Sequence, residues 1–246
     1  MVLDVLLESV NVLSALATAA LVVLTSKPTR ASGVPYLLAI PAGFGLITVA
    51  FAVQIFQPFL VSGSPLLGSP VQAIWLLTQT YGMLFIAFAY AKRTRLRLIG
   101  ESTTADLLTA ALVTIVFLTV MFATRAFGTV EAASTNAELF LRAVIMVATV
   151  YIIYETLRNW SQTRKASLGF VTIGFTFFLI EQVGFILALG ALGSVAVFLA
   201  YEGRIVGLFV LNTLLIVGVR RGDLVSVMKR LGLAAPAHYR ATPYLP

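Results

Sequence analysis

The sequence predicts an all-α membrane protein: a seven-transmembrane helix bundle with its N-terminus outside and its C-terminus in the cytoplasm. Three observations lead there. First, 59% of the 246 residues are hydrophobic and only 11% charged, against about 25% charged in a soluble domain. With a mean hydropathy of +0.98, the surplus apolar side chains must face lipid. Second, the apolar residues fall into stretches at roughly 3–25, 35–57, 70–91, 104–126, 136–157, 166–189 and 194–219. Each approaches the ~20 residues a helix needs to cross the hydrocarbon, and runs this long exclude barrel strands. Third, 14 of the 17 basic residues sit in alternate connections or in the tail, the asymmetry that keeps basic loops cytoplasmic.

Taken in order, the first span begins with Met-Val-Leu-Asp, which lacks the basic region and cleavage site of a signal peptide. It is expected to remain as a helix, with Asp4 and Glu8 at an external start. Lys27 and Arg30 follow it on the cytoplasmic side. Pro35 opens the second span, where a missing N–H costs nothing, and Pro41 near Gly43 and Gly45 predicts a kink within it. The Gly/Ser/Pro-rich segment 59–69 reads as an external loop. Pro70 opens the third span, which ends at Lys92, Arg93, Arg95 and Arg97.

Thr103 with Asp106, and Thr135 with Glu138, have capping-box spacing at the fourth and fifth helix starts. Glu138 is therefore expected to cap a helix. Arg125 falls at the outer edge of the fourth span, and Arg158, Arg164 and Lys165 follow the fifth. Trp75, Tyr90, Tyr154 and Trp160 lie near the predicted interfaces and fit an aromatic belt.

In the seventh span Gly203 and Gly207 form a GxxxG, with Ala196 and Ala200 continuing the row. Small residues let helices approach closely, within the bundle or across to a second protomer. Residues 1–221 thus make the transmembrane domain and 222–246 a cytoplasmic tail. Gly222 ends the last span, and Leu224, Val227, Met228 and Leu231 recur at helical spacing over 223–231. With Lys229 and Arg230 alongside, this predicts a short amphipathic helix on the membrane surface. Together with Arg93, Arg95 and Arg97 it would face an anionic inner leaflet, which accounts for the pI near 10 without nucleic acid.

The segments Ser26–Ser32 and Ser161–Ser167 are alike and both follow a span on the cytoplasmic side. A 3+1+3 arrangement of two parallel repeats would place them so. Convergence of short basic loops would produce the same likeness.

Topology leaves only Arg142 and Arg204 far from a membrane edge. At comparable depth in the outer half lie Glu8 and Asn11 (span one), Glu181 and Gln182 (span six) and Glu202 (span seven), with Gln79 near the middle of span three. An ionisable group at the bilayer centre costs about 2.5–3.5 kcal/mol on insertion scales, so these residues are expected to face the bundle interior, paired or wetted. Glu181, Glu202, Arg204, Arg142, Gln182, Gln79 and Glu8 are the candidates for ligand or ion binding. The competing reading is that Arg–Glu pairs fix packing alone.

No cysteine is present, which excludes iron–sulfur clusters and thiol chemistry, and the single histidine, His238, lies in the tail, which excludes bis-histidine haem and a Ser–His pair. No metal-site spacing occurs, so neither metal nor cofactor is expected. The layout resembles microbial opsins, and Trp75-Leu76-Leu77-Thr78 is similar to their third-helix pattern. That resemblance implies retinal on a seventh-helix lysine. Here Arg204 or Ile205 occupies the region and no span contains lysine. PQ-loop sugar carriers share the 3+1+3 layout, but their Pro-Gln pairs are absent.

The expectation is a non-enzymatic, multi-pass protein of the cell membrane. It would be a receptor-like sensor or a membrane-anchoring subunit of a larger complex, meeting partners through cytoplasmic loops, tail or GxxxG face. The alternative is a small transporter or ion pathway using the outer-half Glu and Arg residues.

Overall fold

Lipid offers no partner to a backbone N–H or C=O, so apolar runs of this length satisfy those groups within helices. In the computed structural model, the described residues are 2–31, 35–61, 68–96, 114–115, 130–163, 166–188 and 193–220, and all are helical. Six helices among them are long and apolar enough to cross a membrane. They are α1 (Val2–Ala31), α2 (Ala39–Val61), α3 (Gly68–Leu96), α4 (Val130–Thr163), α5 (Ala166–Ala188) and α6 (Gly193–Arg220). They match the first, second, third, fifth, sixth and seventh predicted spans. The fourth span lies outside the described residues except for Thr114 and Ile115. So do Asp106, Arg125, Arg97 and the predicted tail helix with Lys229 and Arg230, while Arg93 and Arg95 belong to the last turns of α3.

The helices outrun their hydropathy. Rather than ending in a polar loop at residue 26, α1 continues through Pro28 to Ala31. The hydroxyls of Thr25, Ser26 and Thr29 donate to the carbonyls of Leu21, Val22 and Thr25 at 2.6, 2.6 and 2.8 Å. Such back-bonding keeps polar side chains compatible with a helix. The expected kink at Pro41 is instead a helix start. A 3-10 turn over Pro35–Leu38 leads into α2 at Ala39, which puts Pro41 in the first turn, where no N–H is required. The fifth span likewise begins six residues early, at Val130, so Thr135–Glu138 is not a capping box.

Each helix packs on its neighbour in the chain, and α6 returns to α1, closing a ring. Asn212 of α6 donates to the Ala17 carbonyl of α1 at 3.1 Å across that closure. Two seams are drawn tight by glycine. A Cβ added to Gly43 would lie 2.6 Å from the Gly82 carbonyl oxygen, and one on Gly82 would lie 2.8 Å from that of Gly43. Between α5 and α6, a Cβ on Gly207 would meet the Gly174 carbonyl at 2.9 Å, and one on Gly203 the Phe177 carbonyl at 2.9 Å. The Gly203–Gly207 face is therefore spent inside the bundle.

Gln72, near the start of α3, meets Glu138, near the start of α4, so both helices enter the layer from the same end. Thr114, about midway along the stretch joining them, hydrogen-bonds through its hydroxyl to Tyr81, about midway along α3.

The main apolar core lies toward the end where α1, α3, α4 and α6 finish. All six helices supply it, with Leu21, Phe44 and Ile47, Met83 and Ile86, Ile145 and Ile152, Phe175 and Phe178, and Leu208 and Leu211 fully or nearly buried. Buried hydroxyls in this half, among them Thr18 and Thr149, donate to carbonyls of their own helices.

The glycine seams make a testable distinction. Gly43→Ala is expected to destabilise the protein in detergent by about 1–3 kcal/mol, the usual cost of overpacking. Gly45→Ala, where the nearest atom would be 4.0 Å away, is expected to be neutral or stabilising. Equal effects at the two positions, measured by thermal unfolding, would remove the case for a tight α2–α3 seam.

Candidate functional site

Arg204 sits in the first half of α6 with 0% of its surface exposed. A guanidinium keeps its charge, so a position without water requires a counter-charge and hydrogen-bond acceptors from the protein. Glu181 of α5, equally buried, supplies the charge. Its Oε1 accepts from Arg204 Nε at 2.8 Å and lies 2.8 Å from Nη2, the latter poorly aligned for a hydrogen bond. Arg204 Nη1 donates to Asn11 Oδ1 of α1 at 2.9 Å and to Gln54 Oε1 of α2 at 3.4 Å. Phe51 and Tyr201 cover the guanidinium at 4.5 and 4.9 Å from their ring centroids. Desolvated cation–π contacts of this kind contribute about 2 kcal/mol.

Arg142 repeats the arrangement with other partners. Glu138, one turn earlier on α4, receives its Nε at 2.8 Å and its Nη2 at 2.6 Å on Oε1. The second oxygen of Glu138 accepts from Gln72 of α3 at 2.8 Å. Arg142 Nη1 donates to Gln182 Oε1 of α5 at 3.3 Å, and its guanidinium lies over Phe185 at 4.2 Å and Trp75 at 5.6 Å. Phe185 also lies 5.7 Å from Arg204, so one ring on α5 stands between the two cations. Every described helix contributes to this network.

Two arginines and two glutamates make the network neutral. Its hydrogen bonding is nonetheless incomplete among the described residues. Trp75 Nε1, Gln79 Oε1, Glu181 Oε2 and Gln182 Nε2 are buried without a hydrogen-bond partner. With Arg204 Nη2, the site therefore retains three donors and two acceptors. Nucleophile–base pairing is absent among these side chains, and no cluster of His, Cys, Asp and Glu among the described residues could hold a metal. The arrangement can bind, orient and hold charge.

Of the residues singled out from sequence, the structure buries Arg142, Arg204, Glu181, Gln182 and Gln79. It leaves Glu8 and Glu202 exposed on the outer faces of α1 and α6, which corrects the expectation that both face the interior. Glu138 moves the other way, from presumed cap to counter-ion of Arg142. Trp75 and Tyr90, assigned to an aromatic belt, are buried, whereas Tyr154 and Trp160 are exposed as expected. Gln54 and Gln72 carried no signal beyond their polarity, and Phe185 none at all. No protein-family model, curated protein or solved structure matches this chain.

These placements separate the carboxylates. Glu138→Gln leaves Arg142 uncompensated and is expected to destabilise by about 3–5 kcal/mol, as breaking a buried pair does. Glu8→Gln and Glu202→Gln are expected to leave the unfolding midpoint unchanged. A comparable loss at Glu202 would contradict its placement.

Proposed function

We propose that this protein is a non-enzymatic integral membrane protein with seven crossings and an external N-terminus. It acts as a receptor-like sensor or as the membrane-anchoring subunit of a larger complex. The observation that carries this reading is the pairing of a neutral charge network in one half of the bundle with a predominantly apolar core in the other. A pathway for ions or solutes needs polar groups continuing through the layer, and transporters commonly place discontinuous helices there. Here the middle of the second half offers mainly Ile, Leu, Met and Phe side chains; Thr18 and Thr149 bond to their own helices, and the buried Glu155, Asn159 and the Thr172–Thr156 hydrogen bond come only toward its far end.

The seventh crossing is supported by the chain path. α3 and α4 enter from the same end, which a further crossing by the apolar segment 104–126 between them would account for. Basic residues then fall on the cytoplasmic side, where an anionic leaflet attracts them. In this orientation the polar network lies in the outer half. A multi-pass protein of the cell membrane fits this orientation.

Transport is the second reading, and the unpartnered atoms of Trp75, Gln79, Glu181 and Gln182 favour it to the extent that water could occupy them. Proteoliposomes separate the two. With the protein reconstituted, proton, alkali-cation and amino-acid fluxes are expected to equal those of empty vesicles, for the wild type and for the Glu181→Gln/Arg204→Met variant alike. Flux above background in the wild type that the variant abolishes would replace the receptor-like reading by transport.

A further inference from the structure

Glu202 is left over by the network. It lies on the outward face of α6, among Val195, Phe198, Leu199 and Phe209, all exposed. No hydrogen bond or ion pair joins it to any other described residue. It stands about nine residues past Gly193, or roughly 14 Å along the helix at 1.5 Å per residue. The helix as a whole is longer than the ~30 Å hydrocarbon layer, so Glu202 falls within that layer. Carboxylates at such depth are rare, costly toward lipid and normally paired.

Among the described residues no cation at this level is left to pair with it. Arg142 and Arg204, the basic side chains at this level among the described residues, are buried against Glu138 and Glu181. Residues 114–115 lie beside α3, which the ring sets opposite α6. A second copy of the chain fits poorly. Among the described residues the exposed basic side chains, Lys27, Arg30 and Arg158, sit toward the opposite end of their helices, so a symmetric contact of this face between two copies sharing a membrane orientation would oppose carboxylate to carboxylate.

We propose that the outward face of α6 around Glu202 docks a membrane-spanning helix of a different protein, one carrying an arginine or lysine at matching depth in its outer half. The apolar residues flanking Glu202 supply the helix–helix packing, and the carboxylate selects the partner by charge. In hydrocarbon an uncompensated cation on the partner gains as much from the pairing as Glu202 does, which makes the contact specific as well as favourable. The inference rests on the membrane-spanning reading and is independent of whether the bundle senses a ligand.

A designed probe tests it. Full-length protein carrying a donor fluorophore at its N-terminus is reconstituted with an acceptor-labelled Leu/Ala transmembrane peptide bearing one arginine in its outer half. A peptide lacking the arginine and one with arginine in the inner half serve as comparisons. The outer-arginine peptide is expected to associate at least ~10-fold more tightly than either. Glu202→Gln is expected to remove the difference and Glu202→Asp to retain it. The contact with a cationic helix is overturned if the three peptides associate equally, or if the Gln variant binds as the wild type does. It is also overturned if cysteines at Leu199 cross-link two copies of the chain in the absence of peptide. Should the Gln variant fail to fold, the comparison between outer- and inner-arginine peptides on the wild type decides the matter. Flotation of the protein with the vesicles reads membrane insertion separately, so loss of peptide binding and loss of the membrane reading are distinguishable.

Discussion

A guanidinium held where water does not reach has to be neutralised by the protein, and Arg204 imposes that requirement on four helices at once. Its counter-ion comes from α5, its acceptors from α1 and α2, and its ring contacts from α2 and α6. The glycine contacts between α5 and α6 are what allow the pair to form. Gly203 lies so near the α5 backbone that a Cβ would sit 3.2 Å from the Glu181 nitrogen. The small-residue seam brings the helices close enough for Glu181 to reach Arg204 at 2.8 Å. Sterics and electrostatics therefore specify the same register, a consistency between levels that favours one fold over its competitors.

The Arg142 unit extends the constraint to the remaining helices. Glu138 compensates it within α4, Gln72 and Trp75 tie it to α3, and Gln182 and Phe185 tie it to α5. Neutrality matters here, because the predominantly apolar core below offers little to solvate an excess charge. Interhelical hydrogen bonds in membranes contribute only ~0.6 kcal/mol on average. The network's influence on structure therefore comes less from the bonds formed than from the cost of any arrangement that leaves a charge unpaired.

Much of the fold was legible in the sequence, because hydropathy and basic-residue placement are one-dimensional signals and membrane depth is one-dimensional too. The described helices coincide with predicted spans, and Arg142 and Arg204 emerged as the basic residues that topology could not explain. Azimuth was less legible. Glu202 and Arg204 share a depth, yet two residues at 100° each turn them about 200° apart around α6. One ends in the core and the other faces outward. Helix ends depart from the hydropathy boundaries for a related reason: hydropathy marks where hydrocarbon stops, whereas the helix of α4 begins in the polar sequence Val130–Thr135. That shift turned Glu138 from a terminal cap into a residue more than two turns inside. Gln54, Gln72 and Phe185 gain their roles only from neighbours distant in sequence, which no local pattern encodes.

The claim on which the account depends is that Arg204 and Glu181 act as one neutral unit. A double-mutant cycle measures this directly, with Arg204→Met, Glu181→Leu and the combined variant unfolded in the same detergent. The account predicts that each single change costs about 3–5 kcal/mol and that the pair of changes costs far less than their sum, since the double variant buries no uncompensated charge. Costs that simply add would contradict it.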